Sequence, residues 1–75
     1  MRIGNTIINP RHVCYAEIIE NTDWLGIQDG YLIQCKMDDG RKIKIKDSDG
    51  RGFSCLEVDD ALDEINDALE EENGN

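Results

Sequence analysis

Apolar residues recur along the last third of the chain with a helical period. Val58, Ala61, Leu62, Ile65, Ala68 and Leu69 stand at i, i+3, i+4, i+7, i+10 and i+11, the spacing of one helix face. On a wheel at about 100° per residue they fill an arc of roughly 120°. Ser54 stands where a cap belongs, Glu57 follows three residues later to close a capping box, and Phe53 and Val58 hold the staple positions. The spacing predicts a helix from about Cys55 to Glu71, with a frayed tail over residues 72–75.

The middle of the chain alternates with a period of two. Tyr31, Ile33, Cys35 and Met37 interleave with Leu32, Gln34 and Lys36, and Ile43 and Ile45 interleave with Lys42, Lys44 and Lys46. A two-residue Asp39-Gly40 loop would set Met37 against Lys42 and mix the faces. A three-residue loop, Asp38-Asp39-Gly40, sets Met37 against Arg41, Cys35 against Ile43 and Ile33 against Ile45. The apolar side chains then share one face, and the glycine falls where a left-handed residue closes a bulged turn. Upstream, Arg2–Asn9 and His12–Glu20 read as two further strands joined by Asn9-Pro10-Arg11. The pair Ile18-Ile19 breaks the alternation and predicts a bulge or a strand end there. Residues 21–30 form a long connection carrying Trp24, Leu25 and Ile27. The expected architecture is α+β: a four-stranded antiparallel β-meander within residues 1–47, with one C-terminal amphipathic helix packed on one face.

Length and composition narrow the functions such a fold can serve. The chain has 75 residues, one small domain at most, which buries only about 60% of its unfolded surface. No apolar run approaches the roughly 20 residues of a membrane span, and the first residues lack the apolar stretch of a signal peptide. Three cysteines, an odd number, point to reduced thiols in a cytosol rather than a disulfide framework.

The net charge of −9 is sharply partitioned. Residues 1–51 hold all eight basic side chains and eight acids, so they sum to zero. Residues 52–75 hold nine acids and no base, an asymmetry that makes the helix the informative element. Glu57, Asp59, Asp60, Asp63, Glu64, Asp67, Glu70 and Glu71 occupy the arc opposite the apolar one. They fall along about 21 Å of helix at about 1.5 Å per residue. That linear density is close to the phosphate repeat of about 3.4 Å in a single nucleic acid strand. A helix shaped for stability alone would interleave lysines, because like charges four apart each cost a few tenths of a kcal/mol.

Other patterns weigh less. Asp47-Ser48-Asp49-Gly50 opens like a calcium loop, but Arg51 and Val58 stand where oxygen ligands belong. Cys14, Cys35 and Cys55 lie 21 and 20 residues apart, without the close pairs of a zinc site; Cys14 and Cys35 read as small buried hydrophobes on adjacent strands. His12 beside Cys14 lacks an orienting third group, and no phosphate-loop pattern follows Gly50 and Gly52. No catalytic set, metal site or cofactor is expected. Arg41, Lys42, Lys44 and Lys46, with Lys36, form a basic stripe with no aromatic platform, a solvated strand face before it is a phosphate-binding one. Trp24, Leu25 and Ile27 either lid the open end of the thin core or form a second contact surface for a partner.

Two resemblances follow from these residues. Ile8-Asn9-Pro10-Arg11-His12-Val13, then Asp39-Gly40-Arg41-Lys42-Ile43 and a terminal helix, resembles small flagellar-operon proteins of the FlbD type, from which the long acidic helix departs. The small size and localised acidity resemble phage-encoded inhibitors of the anti-CRISPR or anti-restriction kind. The acidic helix face itself leads to the expectation of a non-enzymatic protein that mimics nucleic acid and engages a basic, nucleic-acid-binding protein, and the latter resemblance implies the bacterial host cytosol as its place of action. On this reading the chain binds neither membrane nor nucleic acid directly, and a homodimer is compatible with it. The alternatives are a nucleic-acid binder acting through the lysine-rich strand, and a structural or assembly protein using the Trp24 loop.

Overall fold

A computed structural model describes residues 1–73, with the side chains of Glu72 and Asn73 left aside. It is α+β, with five strands in two antiparallel sheets and one C-terminal helix. Strands β1 (Arg2–Ile3) and β2 (Thr6–Ile7) form a small hairpin. A 3-10 turn at Pro10–His12 follows, capped by the Asn9 side chain, which accepts from the Arg11 N–H at 3.1 Å. Strands β3 (Val13–Thr22), β4 (Gln28–Met37) and β5 (Lys42–Ile45) then make a three-stranded sheet in that order. Helix α1 (Cys55–Asn73) closes the fold.

The hairpin between β4 and β5 has the register that the three-residue loop demands. Ile33 pairs with Ile45 and Cys35 with Ile43, and the Met37 N–H donates to the Arg41 carbonyl at 2.8 Å. Asp23–Ile27 and Asp47–Arg51 repeat the same turn: in each, the first N–H donates to the fifth carbonyl and the fourth N–H to the first carbonyl, at 2.9–3.0 Å. The fourth residue in all three is a glycine with positive φ, the conformation that closes a bulged turn without a Cβ penalty.

The four-stranded meander is corrected to three strands. The Arg2–Asn9 segment doubles back at Gly4-Asn5 instead of running as one strand, and it adds Ile3 and Ile8 to the core rather than an edge to the main sheet. The expected long connection over 21–30 shrinks to residues 23–27, because β3 and β4 extend as a two-stranded ribbon. Ile18 and Ile19 pair in unbroken register with Ile33 and Leu32. The shifts fall elsewhere: one extra residue on β3 at Cys14, and one on β4 at Asp29-Gly30. Cys14 is consequently exposed, not buried beside Cys35. The helix runs two residues beyond Glu71, so Glu72 and Asn73 are helical; the remainder of the expected tail, residues 74 and 75, lies outside the described residues.

Val58, Ala61 and Ile65 of α1 pack with Ile33, Cys35, Met37 and Ile45 of the sheet, and with Ile3, Ile8, Val13 and Phe53. After the 47–51 turn the chain rejoins the sheet edge, where Phe53 and Tyr31 exchange backbone hydrogen bonds of 2.7 and 2.9 Å. Gly30 sits in this crossing at φ +76°, and a Cβ there would lie 2.7 Å from the Phe53 carbonyl oxygen. Gly26 has a similar φ of +82° but open space around it. Gly26→Ala is therefore expected to cost only the left-handed backbone term, about 1–2 kcal/mol. Gly30→Ala adds a clash worth about 1–3 kcal/mol more. Urea denaturation of the two variants checks this ordering; equal losses would mean that the crossing is loose.

Candidate functional site

The two charged surfaces lie on opposite sides of the molecule, and strand alternation puts them there. Ile33, Cys35, Ile43 and Ile45 face the helix, so Gln34, Lys36, Lys42 and Lys44 must face away from it. Lys36 stands directly across from Lys42. The bulge at Cys14 turns Tyr15 onto this same outer face, opposite Lys36, where it is partly solvent-exposed. The lysine face thus carries an aromatic ring after all. The pattern hid it because strict alternation from buried Val13 would have sent Tyr15 inward; the one clue was the apolar spacing of Val13 and Ala16. Beside this row, Gln34 Nε2 donates to Glu17 Oε1 at 3.0 Å.

The acidic surface is the solvent side of α1. Glu57, Asp59, Asp60, Asp63, Glu64, Asp67, Glu70 and Glu71 are all exposed, while Val58, Ala61 and Ile65 are buried on the opposite side. The helix start is pinned by Ser54, whose Oγ accepts from the Glu57 N–H at 3.2 Å and donates to Glu57 Oε1 at 2.8 Å. Asp59/Asp63, Asp60/Glu64 and Asp63/Asp67 are like-charge neighbours one turn apart, each unfavourable by a few tenths of a kcal/mol. Glu70 and Glu71 also sit at the negative end of the helix dipole.

The connection carrying Trp24 is not a lid. Trp24 is 91% exposed, Leu25 62% and Ile27 60%, at the tip of the β3–β4 ribbon. The tip is nonetheless ordered: Asp23 Oδ1 accepts from the Leu25 and Ile27 N–H groups, both at 2.9 Å. The recurrence of Asp-x-x-Gly at 23–26 and 47–50 was the sequence signal for this turn.

At the other end of the ribbon, a groove of about 430 Å³ is lined by Ile7, Ile8, Met37 and Ile43, with His12, Asp38, Asp39 and Arg41 at its polar side. His12 Nδ1 lies 2.8 Å from Asp38 Oδ2, so its partner is this carboxylate and not Cys14. Arg41 Nε donates to Asp39 Oδ2 at 2.6 Å. The Arg41 N–H, reinforced by its guanidinium, holds the Asp39 carboxyl below its usual range. Asp47 Oδ1 accepts from the Asp49 and Arg51 N–H groups at 2.9 and 3.0 Å, so this carboxylate serves its own turn. Among the described residues, no three His, Cys, Asp or Glu side chains gather as a metal site requires.

No family model, curated protein or solved structure matches the chain. Among the described residues no helix is long and apolar enough to cross a membrane.

The three thiols differ in a measurable way. Cys14 and Cys55 are exposed and Cys35 is buried, and burial pushes the Cys35 thiol above its ordinary pKa. The folded state therefore favours the protonated thiol. Its contribution to stability is whole below the unfolded thiol's value, about 8.5, and is lost as pH rises through the folded pKa. Alkylation of the native protein at neutral pH is expected to modify Cys14 and Cys55, and Cys35 only after unfolding. Peptide mass spectrometry reads the outcome; native labelling of Cys35 would contradict the packing of β4 against α1.

Proposed function

We propose that this chain is a non-enzymatic binding protein whose acidic helix face occupies the nucleic-acid site of a basic protein partner. One observation carries the reading. Eight exposed acids share one side of α1, and the lysines that balance charge elsewhere stand on the far side of the sheet. The acidic field is thus left unneutralised by the chain's own strand lysines. Such a field speeds encounter with an oppositely charged surface and makes it salt-sensitive. The small size and localised acidity agree with the resemblance to phage-encoded inhibitors, which would act in the host cytosol. Trp24, Leu25 and Ile27 offer a second contact surface.

Tyr15 favours one rival reading. A ring beside Lys36, Lys42 and Lys44 is the combination that single-stranded nucleic acid uses, stacking on the ring and phosphate on the bases. Against it stands the net charge of −9, which repels a polyanion at long range.

Replacing Asp60, Asp63, Glu64 and Asp67 with Asn or Gln separates the readings. The apolar arc is untouched and helix repulsion falls, so the melting temperature is expected to hold or rise. Association with a basic, nucleic-acid-binding partner, captured from a lysate on the immobilised protein, is expected to slow by about tenfold or more, with a flatter salt dependence. Changing Lys42, Lys44 and Lys46 to Gln is expected to alter neither. Stopped-flow kinetics at two salt concentrations gives the answer. An acid variant that binds unchanged while the lysine variant fails would transfer the site to the sheet face.

A further inference from the structure

Strand β3 is an edge of the three-stranded sheet. From Tyr15 to Glu20 it pairs with β4 in unbroken register, with Tyr15 opposite Lys36 and Glu20 opposite Tyr31. Residues of an antiparallel ladder alternately direct their N–H and C=O groups toward the partner strand and away from it. Every second residue of this stretch therefore offers a backbone donor and acceptor on its outer side. Among the described residues no other element supplies these groups with a backbone partner. Sheet edges are commonly blunted by proline or lysine, and Tyr15–Glu20 contains neither.

The stretch does carry one carboxylate on each face. Glu17 lies on the outer face, opposite Gln34, and Glu20 on the helix side, opposite Tyr31. Both are exposed, and Ile18 and Ile19 between them are half-buried, leaving apolar surface that a further strand would cover. We propose that β3 takes up, as a fourth strand, an extended segment of another protein with the pattern cation–apolar–apolar–cation. Directly opposed residues of paired strands share a face, so the cations meet Glu17 and Glu20 while the apolar pair meets Ile18 and Ile19. The pattern reads the same in both directions and serves parallel or antiparallel addition. Main-chain hydrogen bonds supply the affinity and the side chains the selectivity. Six residues at about 3.3 Å each span about 20 Å, an ordinary strand length.

Charge selects this occupant over the alternatives. β3 holds two acids and no base, so no register of β3 against itself gives Glu17 or Glu20 a cation. A second copy would bring two more acids to the seam. A wholly apolar strand would leave both carboxylates beside hydrocarbon without a partner. On the adjacent strand β4 the one base is Lys36, across from Tyr15 at one end of the stretch. Glu17 Oε1 accepts from Gln34 Nε2 at 3.0 Å, which holds the carboxylate in place with Oε2 left for the incoming cation. The acids concerned belong to β3 and not to α1, so the proposal goes beyond the function above and does not rest on it.

The probe is the acetylated and amidated peptide Thr-Thr-Lys-Val-Val-Lys-Thr-Thr. It is added to the whole protein at up to about 1 mM in about 0.15 M salt, and amide hydrogen exchange is followed by NMR. Exchange is expected to slow about tenfold or more at alternate amides between Tyr15 and Glu20, and to stay unchanged in α1. An isomer with Lys-Val-Lys-Val at its centre sets both cations on one face and is expected to bind about fivefold more weakly. The first peptide with its central amides N-methylated keeps every side chain but donates no backbone hydrogen bond there, and is expected to leave exchange unchanged. Glu17→Lys combined with Glu20→Lys is expected to keep the melting temperature, since both side chains are exposed, and to bind the Glu-Val-Val-Glu peptide in place of the lysine one. Four results overturn the proposal. They are unchanged exchange at β3 with the lysine peptide, slowing in α1 in its place, equal binding of the isomeric or N-methylated peptide, and β3 amides protected without any peptide while mass doubles with concentration, which would give the edge to a second copy.

Discussion

Strand β4 is hydrogen-bonded along both edges, to β3 on one side and β5 on the other, and successive side chains on a strand point to opposite faces. Its register therefore decides which half of the molecule every neighbouring group belongs to. With Ile33 against Ile45 and Cys35 against Ile43, a dry face forms for α1 to cover. A slip by one residue would send Lys42 and Lys44 under the helix and expose Ile43 and Ile45, exchanging the whole apolar set for charge. The device that prevents the slip is local: the turn at 38–40, closed by Gly40 with φ +93° and by the Met37–Arg41 hydrogen bond.

From that register the distribution of charge follows. The helix must present its apolar arc to the dry face, so the eight acids from Glu57 to Glu71 are directed to solvent on one side. The lysines of β4 and β5 are directed to solvent on the other. The two charged layers are held apart by the core itself, which among the described residues contains no buried polar side chain. Lysines interleaved on the helix would have relieved its like-charge pairs at no cost to packing. Their absence from residues 52–75 is a local electrostatic cost that the fold does not require, which is why the acidic face carries the functional argument.

The parts legible in the sequence were those governed by short-range chemistry. The Ser54 cap on the Glu57 N–H, the Val58–Leu69 arc and the 38–40 turn each rest on residues within one turn of each other, and each stands as its spacing predicts. The Glu57 carboxylate, however, accepts from the Ser54 hydroxyl instead of closing a capping box on the Ser54 backbone N–H. What escaped depends on residues far apart. The doubling back of the first strand at Gly4 is set by its packing on the Lys46 backbone and Phe53, neither of which is near in sequence. The bulge at Cys14 arises from pairing with β4, and a single strand gives no sign of it. That one extra residue exposes Cys14, moves Tyr15 to the lysine face and frees His12 to meet Asp38, 26 residues away. Of the two readings open for Trp24, the lid fails for a different reason: so small a core suggests a need for cover, but Ile3, Ile8 and Phe53 already supply it.

The proposed function requires that the acidic helix face and a nucleic acid compete for one surface. Its most direct test is displacement: a basic partner captured from a lysate is loaded with a fluorescent oligonucleotide, and this protein is titrated in while anisotropy is followed. The account predicts that the oligonucleotide is released in proportion to the protein bound, with no species containing all three components. A stable ternary complex, with the oligonucleotide retained at saturating protein, would contradict it.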